Sequence, residues 1–152
     1  MENRLKNKDT NNADVWTAVQ HLHKAIAAGG VDPKLLTLVH LRVSQINGCA
    51  PCIYASIAGG KKAGETDDRL HNVVAWREAP FYTDAERAAL ALAEGATRLQ
   101  DGAEGVSDAV WEEINVHFTE EQIGAINLEI ATTNFFNRLN RIIKEPAGKT
   151  WG

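Results

Sequence analysis

The sequence has little of several features that would point to other classes of protein. Its 152 residues contain just two cysteines, no block of basic residues with interleaved aromatics, and no apolar window near the roughly 20 residues of a membrane span. The net charge of −4 argues against non-specific binding to nucleic acids or to an anionic membrane. Residues 1–9 lack the apolar stretch of a secretory signal, so we expect a cytoplasmic protein.

The remaining composition is sufficient for one packed domain. Of the residues, 44% are hydrophobic and 24% charged, and a chain of this length is usually a single domain. Apolar residues recur at helical spacing in successive segments, and no stretch keeps a strand period for more than a few residues. We therefore predict an all-α domain of six or seven helices over residues 13–145, a frayed or disordered segment at 1–12 and a loose tail at 146–152.

Local signals predict where several of these helices begin and end. Asp32-Pro33 is typical of an N-cap followed by the first residue of a helix. The segments 83–86 and 119–122 match the capping box, in which a threonine is followed three residues later by glutamate or glutamine. They predict one helix that ends near Leu99 and a long final helix that ends near Ile143.

The clearest functional signal is the motif Cys49-Ala50-Pro51-Cys52, which follows the predicted turn Asn47-Gly48 and opens a helix running to about Ala63. Two thiols three positions apart can close a small disulfide. A thiol in the first turn of a helix is near the positive end of the helix dipole, which favours the thiolate. In a reducing compartment such a pair is more often catalytic, redox-active or metal-binding than structural. We interpret the motif as a redox pair.

Two other interpretations of the cysteines are open. Both side chains are small enough to be simply buried at the start of a helix. A zinc site is the other alternative, with His21 and His23 as further ligands beside Cys49 and Cys52. However, histidines two positions apart point to different sides of a helix, which is poor ligand geometry. We therefore predict neither a metal nor a cofactor.

Three separated segments resemble, in the right order, the superfamily of AhpD-like alkylhydroperoxidases and carboxymuconolactone decarboxylases. They are residues 41–52 (LRVSQINGCAPC), 62–70 (KAGETDDRL) and 75–94 (AWREAPFYTDAERAALALAE). Residues 126–127 and 134–138 of the final helix fit as well, so that the resemblance covers roughly residues 13–145.

This resemblance implies an all-helical fold that assembles into homo-trimers or homo-hexamers. It also implies a CxxC pair that reduces hydroperoxides and is reduced again by a thiol partner. In relatives the second cysteine attacks the peroxide and the first resolves it as a disulfide. Carried over to this chain, Cys52 would be the attacking cysteine and Cys49 the resolving one.

Three positions depart from the pattern of the catalytic relatives. A glutamate twelve positions before the first cysteine is Thr37 here, a tyrosine or histidine before the second cysteine is Pro51, and a histidine four positions after it is Ser56. In the relatives these side chains form a proton relay that activates the cysteine. Threonine and serine donate hydrogen bonds, but neither is a base near neutral pH. The departures predict weaker peroxidase activity or a different substrate.

Two other titratable residues are candidates to replace this relay. His40 lies one helical turn after Thr37, so the two share a face of the second helix. Glu94 follows the apolar stretch 90–93 and is therefore either buried with a partner or on the wall of a pocket. The predicted pocket thus comprises Thr37, His40, Ser56 and Glu94.

The sequence therefore favours an enzyme, a cofactor-free thiol peroxidase whose partners are a hydroperoxide, a thiol reductant and further copies of the chain. The alternative is an oligomeric helical binding protein that has kept the fold and lost the chemistry. A decarboxylase or isomerase acting on a lactone-like substrate rests on the superfamily name alone, which is a weak argument for chemistry.

Overall fold

The fold was examined in a computed structural model, which describes residues 2–5, 13–101 and 104–148. Across these ranges the chain forms α-helices, one short 3₁₀ helix and connecting turns, and no strand. The prediction of an all-α domain with six or seven helices is confirmed. The α-helices are α1 (Ala13–Ala28), α2 (Pro33–Asn47), α3 (Ala50–Lys62), α4 (Asp67–Asn72), α5 (Asp84–Thr97), α6 (Asp108–His117) and α7 (Glu120–Ile143), and the 3₁₀ helix (Val73–Ala75) directly follows α4.

The helices begin at the predicted capping signals. Residues 83–86 and 119–122 each form a reciprocal capping box, in which the threonine hydroxyl and the side chain three residues later satisfy each other's backbone N–H groups. The side chain of Asp32 accepts a hydrogen bond of 2.9 Å from the backbone N–H of Lys34 at the start of α2. A cap of this kind contributes about 1 kcal/mol, so these short local signals fix the helix starts.

Two helices end earlier than the apolar pattern predicts. α5 stops at Thr97 rather than near Leu99, and Leu99 is 68% exposed, so packing does not favour another turn there. The apolar residues Leu70, Val73, Val74 and Trp76 recur at helical spacing, but α4 ends at Asn72 and the chain continues as the 3₁₀ helix. Its tighter winding leaves Val73 and Trp76 buried.

The core lies on two sides of α2. Val39 and Val43 face a cluster with α5, α6 and α7, whereas Leu38 and Leu41 face a second cluster with α4, the 3₁₀ helix and α5. Each such buried side chain contributes about 1.5–3 kcal/mol relative to an exposed one. Because α2 is enclosed in this way, the turn after it is held in a fixed position, and α3 returns antiparallel along α2.

The two ends of the described chain meet. The backbone N–H of Arg4 donates a hydrogen bond of 2.7 Å to the carbonyl of Ile143 at the end of α7. Most of the predicted frayed segment, at residues 1 and 6–12, lies outside the described residues, as do residues 149–152 of the predicted tail. Both expectations therefore stay predictions.

One side of α7 carries four exposed apolar side chains, those of Leu128, Phe135, Leu139 and Ile142. These residues are separated by seven, four and three positions, which places them on one face of the helix. An apolar face of this kind is compatible with the expected trimer or hexamer, which stays a prediction.

Within the three described ranges, no helix is both long and apolar enough to cross a bilayer.

Candidate functional site

The cysteine motif sits at the tight connection between α2 and α3. Gly48 ends α2 in the left-handed conformation with φ of 63°, which glycine adopts without steric cost. The next residue, Cys49, is the N-cap of α3, and its backbone N–H donates to the carbonyl of Ser44 at 3.0 Å. Cys52 therefore lies in the first turn of α3, as the sequence predicts, and the two sulfurs form a disulfide with Cα atoms 5.3 Å apart.

The two sulfurs have different surroundings. Cys49 is completely inaccessible, whereas Cys52 is 4% exposed. Asn140 of α7 directs its side-chain amide at the sulfur of Cys52, with Nδ2 3.3 Å from Sγ. A hydrogen-bond donor and the N-terminal turn of a helix both stabilise negative charge, so this position favours a thiolate once the disulfide is reduced.

Asn140 belongs to a row of buried asparagines that the sequence analysis did not assign to the site. Asn134 and Asn137 both accept hydrogen bonds of 2.9 Å from the side-chain amide of Asn47, and Asn137 also donates to Ser44 at 3.2 Å. These contacts fasten the end of α2, just before the cysteines, to α7. The recurrence of asparagine every three residues along α7 was the available signal.

A cavity of about 350 Å³ lies between α2, α3 and α7, and its lining includes Ser56, one turn after Cys52, but neither cysteine. Three of the four predicted pocket residues, Thr37, His40 and Ser56, line it together. Ser56 follows Cys52 by four positions and so lies on the same face of α3. The remaining lining residues are mostly apolar, and the complete set is Pro33, Leu36, Thr37, His40, Ala55, Ser56, Gly59 and Glu129.

Three polar side chains in this cavity already have hydrogen-bond partners on α2 or α3. Nδ1 of His40 is hydrogen-bonded to Oγ of Ser56. Burial and, more weakly, the nearby His23 lower the pKa of His40 to about 4, so its imidazole is neutral at pH 7. The hydroxyl of Thr37 donates to the carbonyl of Pro33 at 2.9 Å and is therefore engaged by its own helix.

Glu129 of α7 is a second cavity residue that the sequence analysis missed. Burial raises the pKa of its carboxyl to about 7. The hydrogen bond that the carboxyl accepts from the Thr133 hydroxyl at 3.3 Å lowers the pKa, but its effect is smaller than that of burial. The carboxyl is therefore partly protonated near neutral pH. Its position between Leu128 and Ile130 gave no sign of burial, because a glutamate at this place also fits the polar face of an amphipathic helix.

We expect the Glu129→Gln variant to be more stable than the wild type at high pH. A carboxyl with a pKa of about 7 in the folded state and 4.5 in the unfolded state stabilises the fold most below pH 4.5, and that contribution is lost as the pH rises through 7. At about 1.4 kcal/mol per pKa unit, reduced for partial exposure, the variant should gain about 2 kcal/mol at pH 9. Urea unfolding at pH 5 and pH 9 measures this difference.

The exposed Glu112 on α6 provides the matched control. Glu112→Gln should change the stability little at either pH, because the carboxyl is in water in both the folded and the unfolded state. Equal stability of Glu129→Gln and the wild type at pH 9 would contradict the raised pKa.

Glu94 lies away from this cavity, in a cluster of ion pairs that also contacts Trp76, the residue after the 3₁₀ helix. Its carboxylate accepts hydrogen bonds from Arg42 at 2.7 Å, from the indole of Trp76 at 3.0 Å and from Arg98 at 2.9 Å, and it also pairs with Arg77. Of the two alternatives that the sequence left open, the structure therefore shows burial with partners. Glu94 is not among the residues that line the cavity.

The zinc alternative finds no support in the described ranges, where no three His, Cys, Asp or Glu side chains are grouped so that they could hold a metal ion. Cys49 and Cys52 are bonded to each other. His21 and His23 both lie on α1, which packs against α7.

Comparison with known proteins identifies the family. The sequence model of the carboxymuconolactone decarboxylase family matches residues 13–95, which is more than half of the chain. This chain belongs to the carboxymuconolactone decarboxylase family. The uncharacterized protein YdfG of Bacillus subtilis is 38% identical over 103 residues, which cover 68% of this chain and 69% of YdfG. The uncharacterized protein YnjA of Escherichia coli is 30% identical over 118 residues, which cover 77% of this chain and 63% of YnjA.

Solved structures show the same fold. A protein of unknown function from Agrobacterium tumefaciens, provisionally described as an antioxidant defence protein AhpD, is 26% identical with a TM-score of 0.87. The match covers 97% of this chain and 99% of that one. The debrominase Bmp8 is 23% identical with a TM-score of 0.79, covering 90% of this chain and 73% of its own. At that identity the likeness to Bmp8 concerns the fold alone.

Membership of the carboxymuconolactone decarboxylase family allows the residues of the cavity to be compared with the family pattern. At the positions where the resemblance predicts the relay of catalytic members, this chain has Thr37, Pro51 and Ser56. Two of these residues, Thr37 and Ser56, line the cavity, where they stand beside His40 and Glu129. The cavity thus keeps titratable groups, but on other residues than in the family pattern.

Proposed function

We propose that the protein is a thiol-dependent peroxidase that reduces hydroperoxides through Cys49 and Cys52. The observation that carries this proposal is the Cys49–Cys52 disulfide at the first turn of α3, with the amide of Asn140 directed at the Cys52 sulfur. Membership of the family supports it, and so does the similarity to the Agrobacterium tumefaciens protein described as an antioxidant defence protein.

The proposed cycle begins with both cysteines reduced. The Cys52 thiolate attacks the terminal oxygen of a hydroperoxide, so that an S–O bond forms, the O–O bond breaks and an alcohol leaves after taking up one proton. The Cys49 thiol then attacks the sulfenic acid on Cys52, which forms the disulfide and releases water. An external dithiol reduces the disulfide by thiol–disulfide exchange and supplies the two electrons of the cycle.

The cavity suits an organic hydroperoxide. Proline, leucine, alanine and glycine supply four of its eight lining residues, and its histidine is neutral at pH 7. A wall of this kind favours an uncharged substrate with an apolar part, because burying a charge without a partner is costly.

The proposal is tested by counting free thiols. The protein is reduced, freed of reductant under nitrogen, exposed to excess cumene hydroperoxide, and titrated with a thiol reagent in denaturant. We expect two thiols per chain before exposure and none afterwards, with recovery of both thiols on addition of dithiothreitol. A parallel sample kept without hydroperoxide controls for oxidation by residual oxygen.

A count that stays at two thiols per chain under excess hydroperoxide would contradict the peroxidase. The cysteines would then be inert, and the alternative of a helical binding protein would take its place. Stabilisation of the fold by a ligand without any turnover is the measurement that would support that alternative.

A further inference from the structure

Glu129 is a residue of the cavity wall to which the cycle above gives no role. Among the described residues that line the cavity, it is the only carboxyl, and none of the others is a lysine or an arginine. Its side chain is neither fully buried nor fully exposed, so a ligand in the cavity can reach the carboxyl. With a volume of about 350 Å³, the cavity is large enough for a small organic ligand.

The carboxyl of Glu129 has few partners of its own. The Thr133 hydroxyl lies 3.3 Å from the carboxyl oxygen and 2.7 Å from the backbone carbonyl of Glu129, and a hydroxyl has one proton to share between them. Within the described part of the chain, Glu129 makes no ion pair. Most of the hydrogen-bonding capacity of this carboxyl is therefore open to a ligand or to water.

The groups that surround Glu129 bring no positive charge into the cavity. From α2, His40 lines the wall, and its pKa of about 4 keeps it neutral at pH 7. From α1, His23 acts on the pKa of His40 but not on that of Glu129. The lining residues of α3 are not titratable, and α5 and α6, which also pack against α7, contribute none. A negative group that enters the cavity thus meets a carboxyl and no cation.

We propose that Glu129 selects the substrate by its charge, so that the cavity accepts uncharged hydroperoxides and excludes those that carry a carboxylate. The inference rests on the proposed function and adds the residue that sets the substrate class. Two carboxylates in one site of low polarity repel each other, so an anionic ligand binds only while Glu129 is protonated. By linkage, the affinity for such a ligand falls as the pH rises through the pKa of Glu129, about 7, whereas the affinity for a neutral ligand does not.

Ligand binding to the oxidised protein tests this selection without any turnover. The probes are cumyl alcohol and its para-carboxylate, which differ by one charged group, and the chemical shifts of ¹⁵N-labelled protein follow their titration at pH 6 and pH 8. With a pKa of about 7, Glu129 is protonated about ten times less often at pH 8 than at pH 6. We expect the affinity for the carboxylate to fall about tenfold between these pH values and that for the alcohol to change little.

The variant Glu129→Gln keeps the size of the side chain and removes its charge. It should bind the carboxylate equally well at pH 6 and pH 8, and about tenfold more tightly than the wild type at pH 8. The matched control is Glu112→Gln, which removes the same charge from the exposed surface of α6 and should keep the pH dependence of the wild type. This control separates the effect of Glu129 from that of the net charge of −4.

The same pair of charges is then compared in the reaction. Reduced protein is oxidised by cumene hydroperoxide or by its para-carboxylate at pH 6 and pH 8. The ratio of the two rates cancels the pH dependence of the attacking thiol, which is common to both. The ratio should rise about tenfold in favour of the neutral hydroperoxide in the wild type and stay constant in Glu129→Gln.

The outcomes distinguish the selection by charge from the function on which it rests. Equal affinity for the two probes at pH 8, a pH dependence that survives in Glu129→Gln, or no binding of either probe would overturn the selection. A ratio of oxidation rates that does not change with pH would also overturn it and leave the peroxidase intact. If the probes bind as expected but neither hydroperoxide oxidises the thiols, the proposed function fails, and Glu129 selects ligands for a binding site instead.

Discussion

Cys52→Ser should lose peroxide turnover completely, while Cys49→Ser should still be oxidised once at Cys52. Removing the nucleophile leaves only the uncatalysed reaction, so the rate should fall on the order of 10³-fold or more. Removing the resolving cysteine leaves the first step intact, because Cys52 keeps the donor amide of Asn140 and its place in the first turn of α3. The sulfenic acid on Cys52 then accumulates, since no thiol of the same chain can condense with it.

Mass spectrometry after dimedone trapping measures this difference. One dimedone adduct per chain is expected on the Cys52 peptide of Cys49→Ser, and none on Cys49 in Cys52→Ser. The two variants are matched controls for each other, because each exchanges one sulfur for one oxygen at the same turn of the chain. An adduct on Cys49 in Cys52→Ser would reverse the assigned roles of the two cysteines.

The fold was predictable because its signals are local. Capping at residues 83–86 and 119–122 and the Asp32-Pro33 start need information from only a few neighbouring residues. Where tertiary packing decides, the prediction lost accuracy, as at the end of α5. The apolar pattern continues to Leu99, but the helix stops at Thr97 because Leu99 has no core to face.

The candidate site was predictable to the extent that α2 and α3 build it. The turn at Gly48 makes these helices antiparallel neighbours, so residues on their facing sides, Thr37, His40 and Ser56, come together. The contributions of α7 were not predictable in this way. Asn140 is 88 positions from Cys52 in sequence, and the burial of Glu129 depends on how α7 packs.

Glu94 shows why a buried carboxylate in an apolar stretch is an ambiguous signal. Such a group is stable either in a site or in an ion pair, and sequence spacing does not distinguish the two. Burial raises its pKa, but hydrogen bonds from Arg77, Trp76 and Arg42 outweigh this effect and lower the pKa of Glu94 to about 2. The carboxylate is therefore charged at neutral pH and stabilises the fold.

Glu94→Gln should destabilise the protein by about 3 kcal/mol at pH 7. The side chain of Arg42 is 9% exposed and would keep its charge without a counter-ion, and breaking a buried pair on one side costs about 3–5 kcal/mol. Arg77 and Arg98 are half exposed and can turn to water, and glutamine still offers an oxygen to Trp76, which places the expected loss at the lower limit. Urea unfolding measures the loss.

The pH dependence of this loss identifies its cause. A carboxyl whose pKa is lowered from 4.5 to about 2 stabilises the fold above pH 4.5, and this contribution disappears as the pH falls towards 2. The difference between the wild type and Glu94→Gln should therefore shrink in acid. The surface variant Glu113→Gln, which loses an exposed pair with His117, should cost less than about 1 kcal/mol at pH 7. If Glu94→Gln costs no more than this control, the Arg42–Glu94 pair does not stabilise the fold, and the structural role assigned to Glu94 is wrong.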